Sequence, residues 1–169
     1  LRLARQLQHL LPADSEVHGL AALLEVQASR LPARLDAQGR PVLLPDQDRR
    51  RWDALLIHRG LAALERALSF GDPGPYTLQA AIAACHARAA RAEDTDWGAI
   101  VAGYDRLLAL NPSPVIALNR AVAVSFARGP AAALPLLDAL AAEPQLKRYP
   151  FLAGAQADVL ERLGRVGEA

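Results

Sequence analysis

The stretch NPSPVIALNRAVAVSFARGPAAALPLLDALAAEP, residues 111–144, decides the fold. Two runs rich in Ala, Leu and Val flank Gly129-Pro130, and prolines at 112 and 144 bound the whole. Ala and Leu are strong helix formers, while Gly and Pro punctuate helices at their ends. The stretch therefore predicts two helices, over 113–128 and 130–141, joined by a glycine turn.

The same punctuation recurs outward in both directions. Residues 1–11 form a helix stopped by Pro12, with Leu3, Leu7, Leu10 and Leu11 on one side. A second helix, 15–30, is capped by Asp14 and striped by Val17, Leu20, Ala21, Leu24 and Ala28. Asp46 or Asp48 caps a long helix running to about Phe70, with Trp52, Leu55, Leu56, Leu61, Leu64 and Leu68 as its apolar members. Further helices are expected at 76–90, 96–110 and 148–163, the last ending at Gly164, and a ninth opens near Val166. Between them, 33–44 (ARLDAQGRPVLL) has no helical stripe and centres on Asp36-Ala37-Gln38-Gly39, which predicts a short hairpin or extended loop.

Paired in order, these helices make repeats. The 32 residues from Pro112 to Pro144 lie close to the ~34-residue tetratricopeptide (TPR) period; Pro73 to Pro112 is 39, and Pro12 to Pro73 is 61. The longest interval is one period plus the 33–44 insertion and a lengthened helix. Leu160 to Ala169, with its Gly164 turn and Glu168-Ala169, resembles the junction between the two helices of a TPR unit, and Gly129-Pro130 repeats that junction one unit earlier. Tyr104 falls eight residues before Pro112, where the pattern wants a large residue. A single helix pair cannot bury its apolar face, whereas stacked pairs bury each other's. The expected fold is all-α: a right-handed solenoid of degenerate TPR-like repeats, one domain over 1–169. Both ends fall inside helices, so the chain reads as a piece of a longer protein.

Composition narrows the function. Of 169 residues, 52% are hydrophobic but only 5% aromatic, so the core is built from small and branched side chains that let helix axes approach closely. The net charge of +1 gives no global field to attract nucleic acid or an acidic membrane, so neither is expected as a partner. The single cysteine, Cys85, precludes an intrachain disulfide, and no run of 18 apolar residues is present; the sequence reads as soluble and cytoplasmic.

No catalytic or metal constellation is legible. His9, His18, His58 and His86 do not fall at chelating spacings, and the adjacent Cys85 and His86 point about 100° apart on a helix. Cys85 lies in an Ala-rich run and reads as a small core residue. Gly-x-Ser-x-Gly and phosphate-binding glycine loops are absent. The reading is therefore a non-enzyme without cofactor or metal. Arg49-Arg50-Arg51 is the one run of three like charges; in the first turn of a helix it opposes the dipole, and ion pairs with Asp46 and Asp48 are expected ahead of a phosphate contact. Trp52 behind it reads as core. Asp94-Thr95-Asp96-Trp97 reads as an N-cap cluster with Trp97 packing inward. Asn119-Arg120-Ala121 resembles TPR proteins that grip a peptide's terminal carboxylate. It lies ten residues before Gly129 where nine are expected, and no Lys stands in the neighbouring helices. An Asn bonding to a neighbouring helix is the alternative. Asn119, Arg120, Arg49 and Trp52 are the candidate partner-binding residues; Asp46, Asp48, Tyr76, Asp94, Asp96, Trp97, Gly129 and Gly164 are structural candidates.

Several stretches share an order: Leu44-Pro45-Asp46-Gln47-Asp48-Arg49 with Trp52, Gly74-Pro75-Tyr76 with Gln79 to Ala84, Asp94-Thr95-Asp96-Trp97, Ser113-Pro114-Val115, and Leu118-Asn119-Arg120-Ala121-Val122-Ala123. Together they resemble the C-terminal TPR-containing region of a subgroup of bacterial extracytoplasmic-function (ECF) RNA polymerase sigma factors. The resemblance implies a regulatory, protein-binding appendage, neither catalytic nor promoter-reading. Its implied partners are the protein's own N-terminal sigma regions, core RNA polymerase or another regulator. A free-standing TPR adaptor that captures a peptide or protein terminus in its concave groove is the competing expectation.

Overall fold

The structure is a computed structural model that describes residues 1–165. Eight α-helices and four 3-10 turns occur among the described residues, with no strand beyond one isolated bridge, so the all-α expectation holds. None of the described helices is long and apolar enough to cross a membrane. The ninth helix expected near Val166, and the Glu168-Ala169 part of the repeat signature, lie outside the described residues. The chain divides into two compact units, Leu1–Thr95 and the residues from Asp96 on.

The first unit holds α1 (Arg2–Leu10), α2 (Ser15–Ser29), α3 (Ala54–Leu68) and α4 (Pro75–Arg88). Helix α2 packs against α1, α3 and α4. The buried face is not the predicted stripe: of Val17, Leu20, Ala21, Leu24 and Ala28 only Ala21 is inaccessible and Leu24 is exposed, whereas Ala22, Glu25, Val26 and Ser29 are buried because α2 is packed by three helices. Ala22, Leu64, Ala80 and Ala84 form the core where α2, α3 and α4 meet. Small residues set that approach: a Cβ on Gly19 would stand 2.6 Å from the Thr77 backbone nitrogen, and one on Gly60 would stand 2.7 Å from Val26 Cγ2.

Polar contacts join the same helices. Asp14 caps α2 by accepting from the Glu16 and Val17 amides, as expected. Glu16 in turn caps α4, accepting from the backbone amides of Tyr76 (2.7 Å) and Thr77 (3.0 Å) and from the Thr77 hydroxyl (2.6 Å). A side chain on Gly74 would occupy the space of that carboxylate.

Two expectations in this unit need correction. The long helix from Asp46 or Asp48 is instead two 3-10 turns, Leu44–Asp46 and Arg49–Arg51, followed by α3 from Ala54. Asp53 is the effective cap, accepting from the Leu55 and Leu56 amides, while its own amide donates to Ser29 O at the end of α2. That long-range bond holds Trp52 extended, outside the helix. Asp48 caps only the Arg49–Arg51 turn, and Asp46 caps nothing. The second correction concerns α1: Leu3, Leu7, Leu10 and Leu11 do share a side, but it faces solvent, and only Ala4 is buried. Helix α1 is tied to α2 by polar contacts instead, Arg5 forking onto Glu25 (2.7 and 3.1 Å) and Gln8 meeting His18 (3.1 Å).

The 33–44 insertion forms the predicted hairpin. Leu35 bridges Pro41, Asp36 accepts from the amides of Gln38 and Arg40, and Gly39 takes φ 76°, which suits glycine.

The second unit holds α5 (Trp97–Leu110), α6 (Pro114–Ala127), α7 (Pro130–Ala141) and α8 (Pro150–Arg162), each packed on the next. Leu118, Val124, Leu137, Leu146 and Val159 are among its buried residues. Gly129 turns α6 into α7 with φ 90°. Gly164, at φ 73°, ends α8 in a Schellman motif: its own amide donates to Glu161 O and that of Arg165 to Leu160 O, both at 2.9 Å. Asp96 caps α5 through the Ala99 amide, as the cluster reading expects. Asp94 instead pairs with Arg91, whose guanidinium holds its carboxyl below the usual range. Trp97 is half-buried and stacks on Phe126, with centroids 4.3 Å apart.

Candidate functional site

The 3-10 turn before α3, the end of α2 and the end of α4 bring together Arg30, Arg49, Trp52 and His86. Arg49 does not pair with Asp46 or Asp48. Its Nη1 donates to the carbonyls of His86 and Ala89 (2.8 Å to Ala89), and Nη2 reaches Thr95 Oγ1 at 3.4 Å. The last carbonyls of a helix lack intrahelical donors and carry the negative end of its dipole, so a guanidinium there is doubly favourable. The charge run that opposes a helix start thus serves a helix end. Arg50 alone makes the expected ion pair, with Asp48 at 3.0 Å.

Trp52 is buried to 6% exposure beneath this clamp, so the core reading holds. The Arg49 guanidinium carbon sits 4.7 Å from the Trp52 ring centroid and that of Arg30 sits 6.0 Å from it, within cation–π range. Burial lowers the Arg30 pKa, with Arg34 and Arg49 adding repulsion, and burial also lowers that of Arg49. His86 feels the same surroundings: burial, then the charges of Arg30 and Arg49, push it down to about 4. It is therefore neutral at pH 7.

Beside this cluster lies a surface cavity of about 350 Å³, broadly open to solvent, lined by Arg30, Val42 and Gln47 and by the exposed Arg34, Leu35 and Pro41. It joins the end of α2 to the hairpin. Arg30 Nε and Gln47 Oε1 are buried without hydrogen-bond partners, as are Arg49 Nε and Trp52 Nε1 in the neighbouring cluster. A larger groove between α1, α2 and α3, about 590 Å³, contains His9, His18, His58 and the Arg5–Glu25 pair. His18 there is satisfied by Gln8 and by Pro12 O. No group of three or more His, Cys, Asp or Glu is placed to hold a metal ion among the described residues.

The other candidates are in the second unit. Arg120 hydrogen-bonds Asp105 of the preceding helix, and Asn119 is exposed. The cross-helix bond expected of Asn119 is not seen; Arg120 makes a contact of that kind in its place. Tyr76 is half-exposed, and its backbone amide is the part in use, donating to Glu16.

Sequence reading found Arg49 and Trp52 but missed Arg30, Arg34, Gln47 and His86. The available signal was charge: residues 30–51 carry six arginines against three acids, Asp36, Asp46 and Asp48, so some guanidiniums must lack a carboxylate of their own segment.

Residues 1–68 match DUF6596, a family of unknown function. Over all 169 residues the chain is 50% identical to an uncharacterized protein of Rhizobium meliloti (strain 1021), and it spans 40% of that protein's length. No solved structure matches.

Proposed function

We propose that this chain is the regulatory protein-interaction region of an ECF-type sigma factor, acting in bacterial transcription initiation by holding the sigma regions of its own polypeptide. The observation that carries the reading is the leucine face of α1. Leu3 and Leu10 are each 75% exposed and Leu7 is 38% exposed, three apolar side chains at i, i+4 and i+7 on one surface. Contiguous exposed apolar surface on a helix marks a docking site. This face lies within the part that matches DUF6596, and the Rhizobium relative is some two and a half times as long as the matched region, which supplies ample polypeptide to cover it. The ordered sequence motifs from Leu44 to Ala123 favour sigma regions as that occupant. The successive packing of α5 to α8 is consistent with a TPR-like stack, and the role requires neither catalysis nor cofactor, in the cytoplasm.

The adaptor reading has less support. Arg120 is held by Asp105, so a peptide carboxylate would have to displace an existing partner.

The test is promoter-dependent transcription by the natural full-length polypeptide with core RNA polymerase. Leu3→Asp with Leu10→Asp places two charges on the docking face without touching a buried residue. A several-fold change in transcript yield, in either direction, is expected. Unchanged yield, with the variant folded by circular dichroism, rules out the docking role of α1.

A further inference from the structure

The cavity between α2 and the hairpin carries more than the interaction reading requires. Arg30 and Arg34 both line it, and both donate to the same acceptor, Gln27 Oε1. Neither forms an ion pair among the described residues; of the carboxylates nearest in sequence, Glu25 is taken by Arg5, and Asp36 by Arg40 and the hairpin amides. Two guanidiniums sharing one neutral acceptor leave several N–H donors over, and Arg30 Nε is buried with none. Repulsion between two like charges so placed favours an anion between them.

Gln47 adds the opposite demand. Its Nε2 donates to Val42 O at 3.1 Å, which fixes the orientation of the amide, because a flipped group would set two oxygens against each other. Its Oε1 is then left buried without a donor, and Gln47 is one of the residues lining the cavity, so a small turn of the amide would bring that oxygen to a ligand there. A ligand that completes the site must bring an anion for the arginines and an N–H for Gln47. Leu35, Pro41 and Val42 supply an apolar wall for a hydrocarbon side chain. The volume of about 350 Å³ falls within the size range of small-ligand pockets, ~300–1,000 Å³.

We propose that this cavity binds an α-acylamino carboxylate bearing an apolar side chain, its carboxylate forked by Arg30 and Arg34 and its amide N–H donated to Gln47 Oε1. Two sources present this chemistry: the C-terminal residue of a peptide, and a free N-acylated amino acid. Bidentate guanidinium–carboxylate bonding supplies the affinity, and the N–H separates this ligand from simple carboxylates and from phosphate.

Calorimetric titration of the full chain tests this with four probes: N-acetyl-L-leucine, N-acetyl-L-leucine amide, 4-methylpentanoate and inorganic phosphate. N-acetyl-L-leucine is expected to bind best, the amide at least tenfold more weakly, and the other two several-fold more weakly. A tripeptide ending in a leucine carboxylate separates the sources: binding tighter than N-acetyl-L-leucine identifies a peptide terminus, and weaker binding identifies a free acylated amino acid. Arg34 is exposed, so Arg34→Gln should fold normally and lose at least tenfold in affinity. Gln47→Glu, which places a carboxylate beside the arginines, should abolish binding and raise stability. In NMR titrations, the bound anion should move His86 protonation upward from about 4, because it offsets the field of Arg30. Equal affinity for acid and amide overturns the proposal. So does wild-type affinity in Arg34→Gln, or phosphate binding as tightly as N-acetyl-L-leucine, or no binding by either acylated acid.

Discussion

Replacing Glu16 with Ala tests whether α2 and α4 are joined by a carboxylate at a helix start. Three hydrogen bonds are lost, to the Tyr76 and Thr77 amides and the Thr77 hydroxyl. Tyr76 is exposed, and water replaces the lost partner at little cost. Thr77 is fully buried; its hydroxyl has a second acceptor in Ser15 O at 3.4 Å, but its amide has none. A buried donor left bare costs about 1–3 kcal/mol, and losing a negative charge from a helix N-terminus costs about 0.3–1 kcal/mol more. The expected destabilisation is therefore roughly 2–4 kcal/mol, and about half that for Glu16→Gln, which keeps an acceptor but not the charge. Urea unfolding followed by Trp52 fluorescence in a Trp97→Phe background reads the first unit specifically. A double-mutant cycle with Thr77→Val isolates the pair, with an expected coupling near 1 kcal/mol. Additivity within ~0.3 kcal/mol, or a loss under 1 kcal/mol for Glu16→Ala, refutes the account.

Three further outcomes follow from the same geometry. Gly19→Ala forces its methyl against the Thr77 backbone, which cannot rotate away, and should destabilise by about 1–3 kcal/mol in urea unfolding despite the better helix propensity of alanine. Arg49→Lys should cost about 1–3 kcal/mol, because one ammonium cannot hold two carbonyls while covering the Trp52 ring; thermal melts against Arg49→Ala will show whether lysine recovers any of it. His86 accepts a proton near 6.5 when unfolded but only at about 4 when folded, so the unfolded state binds more protons between those values. Stability is complete above pH 6.5 and falls as pH drops toward 4, by roughly 2 kcal/mol after discounting for partial solvent exposure. His86→Gln should remove that component of the slope.

The helices from α4 to α8 were legible because each begins at a Pro or Asp and all but α4 end near Gly, Pro or Asn, so local chemistry delimits most of their boundaries. Asp96, Gly129 and Gly164 do what the sequence suggests. The segment 46–53 was misread because three aspartates compete there as caps. The winner, Asp53, is chosen by a bond to Ser29 O that only the folded chain provides. Likewise the leucines of α1 carry the right period, but periodicity names a face without saying what covers it. Arg49 was picked out by its charge, whereas its partners are backbone carbonyls 37 and 40 residues away, invisible to any residue pattern. Gln47 and Arg30 escaped notice for a related reason: a missing partner is a property of three-dimensional enclosure.

The two glycine contacts on α2 have a mechanical consequence. Gly19 lets α2 touch α4, and Gly60 lets α3 touch α2, each at backbone distance. Helices that meet through long side chains slide by exchanging rotamers, but helices that meet backbone to backbone have no such play. A displacement of α4 is therefore resisted first by α2 and, through it, by α3. The close approach thus predicts that these three helices move together when any one of them is displaced.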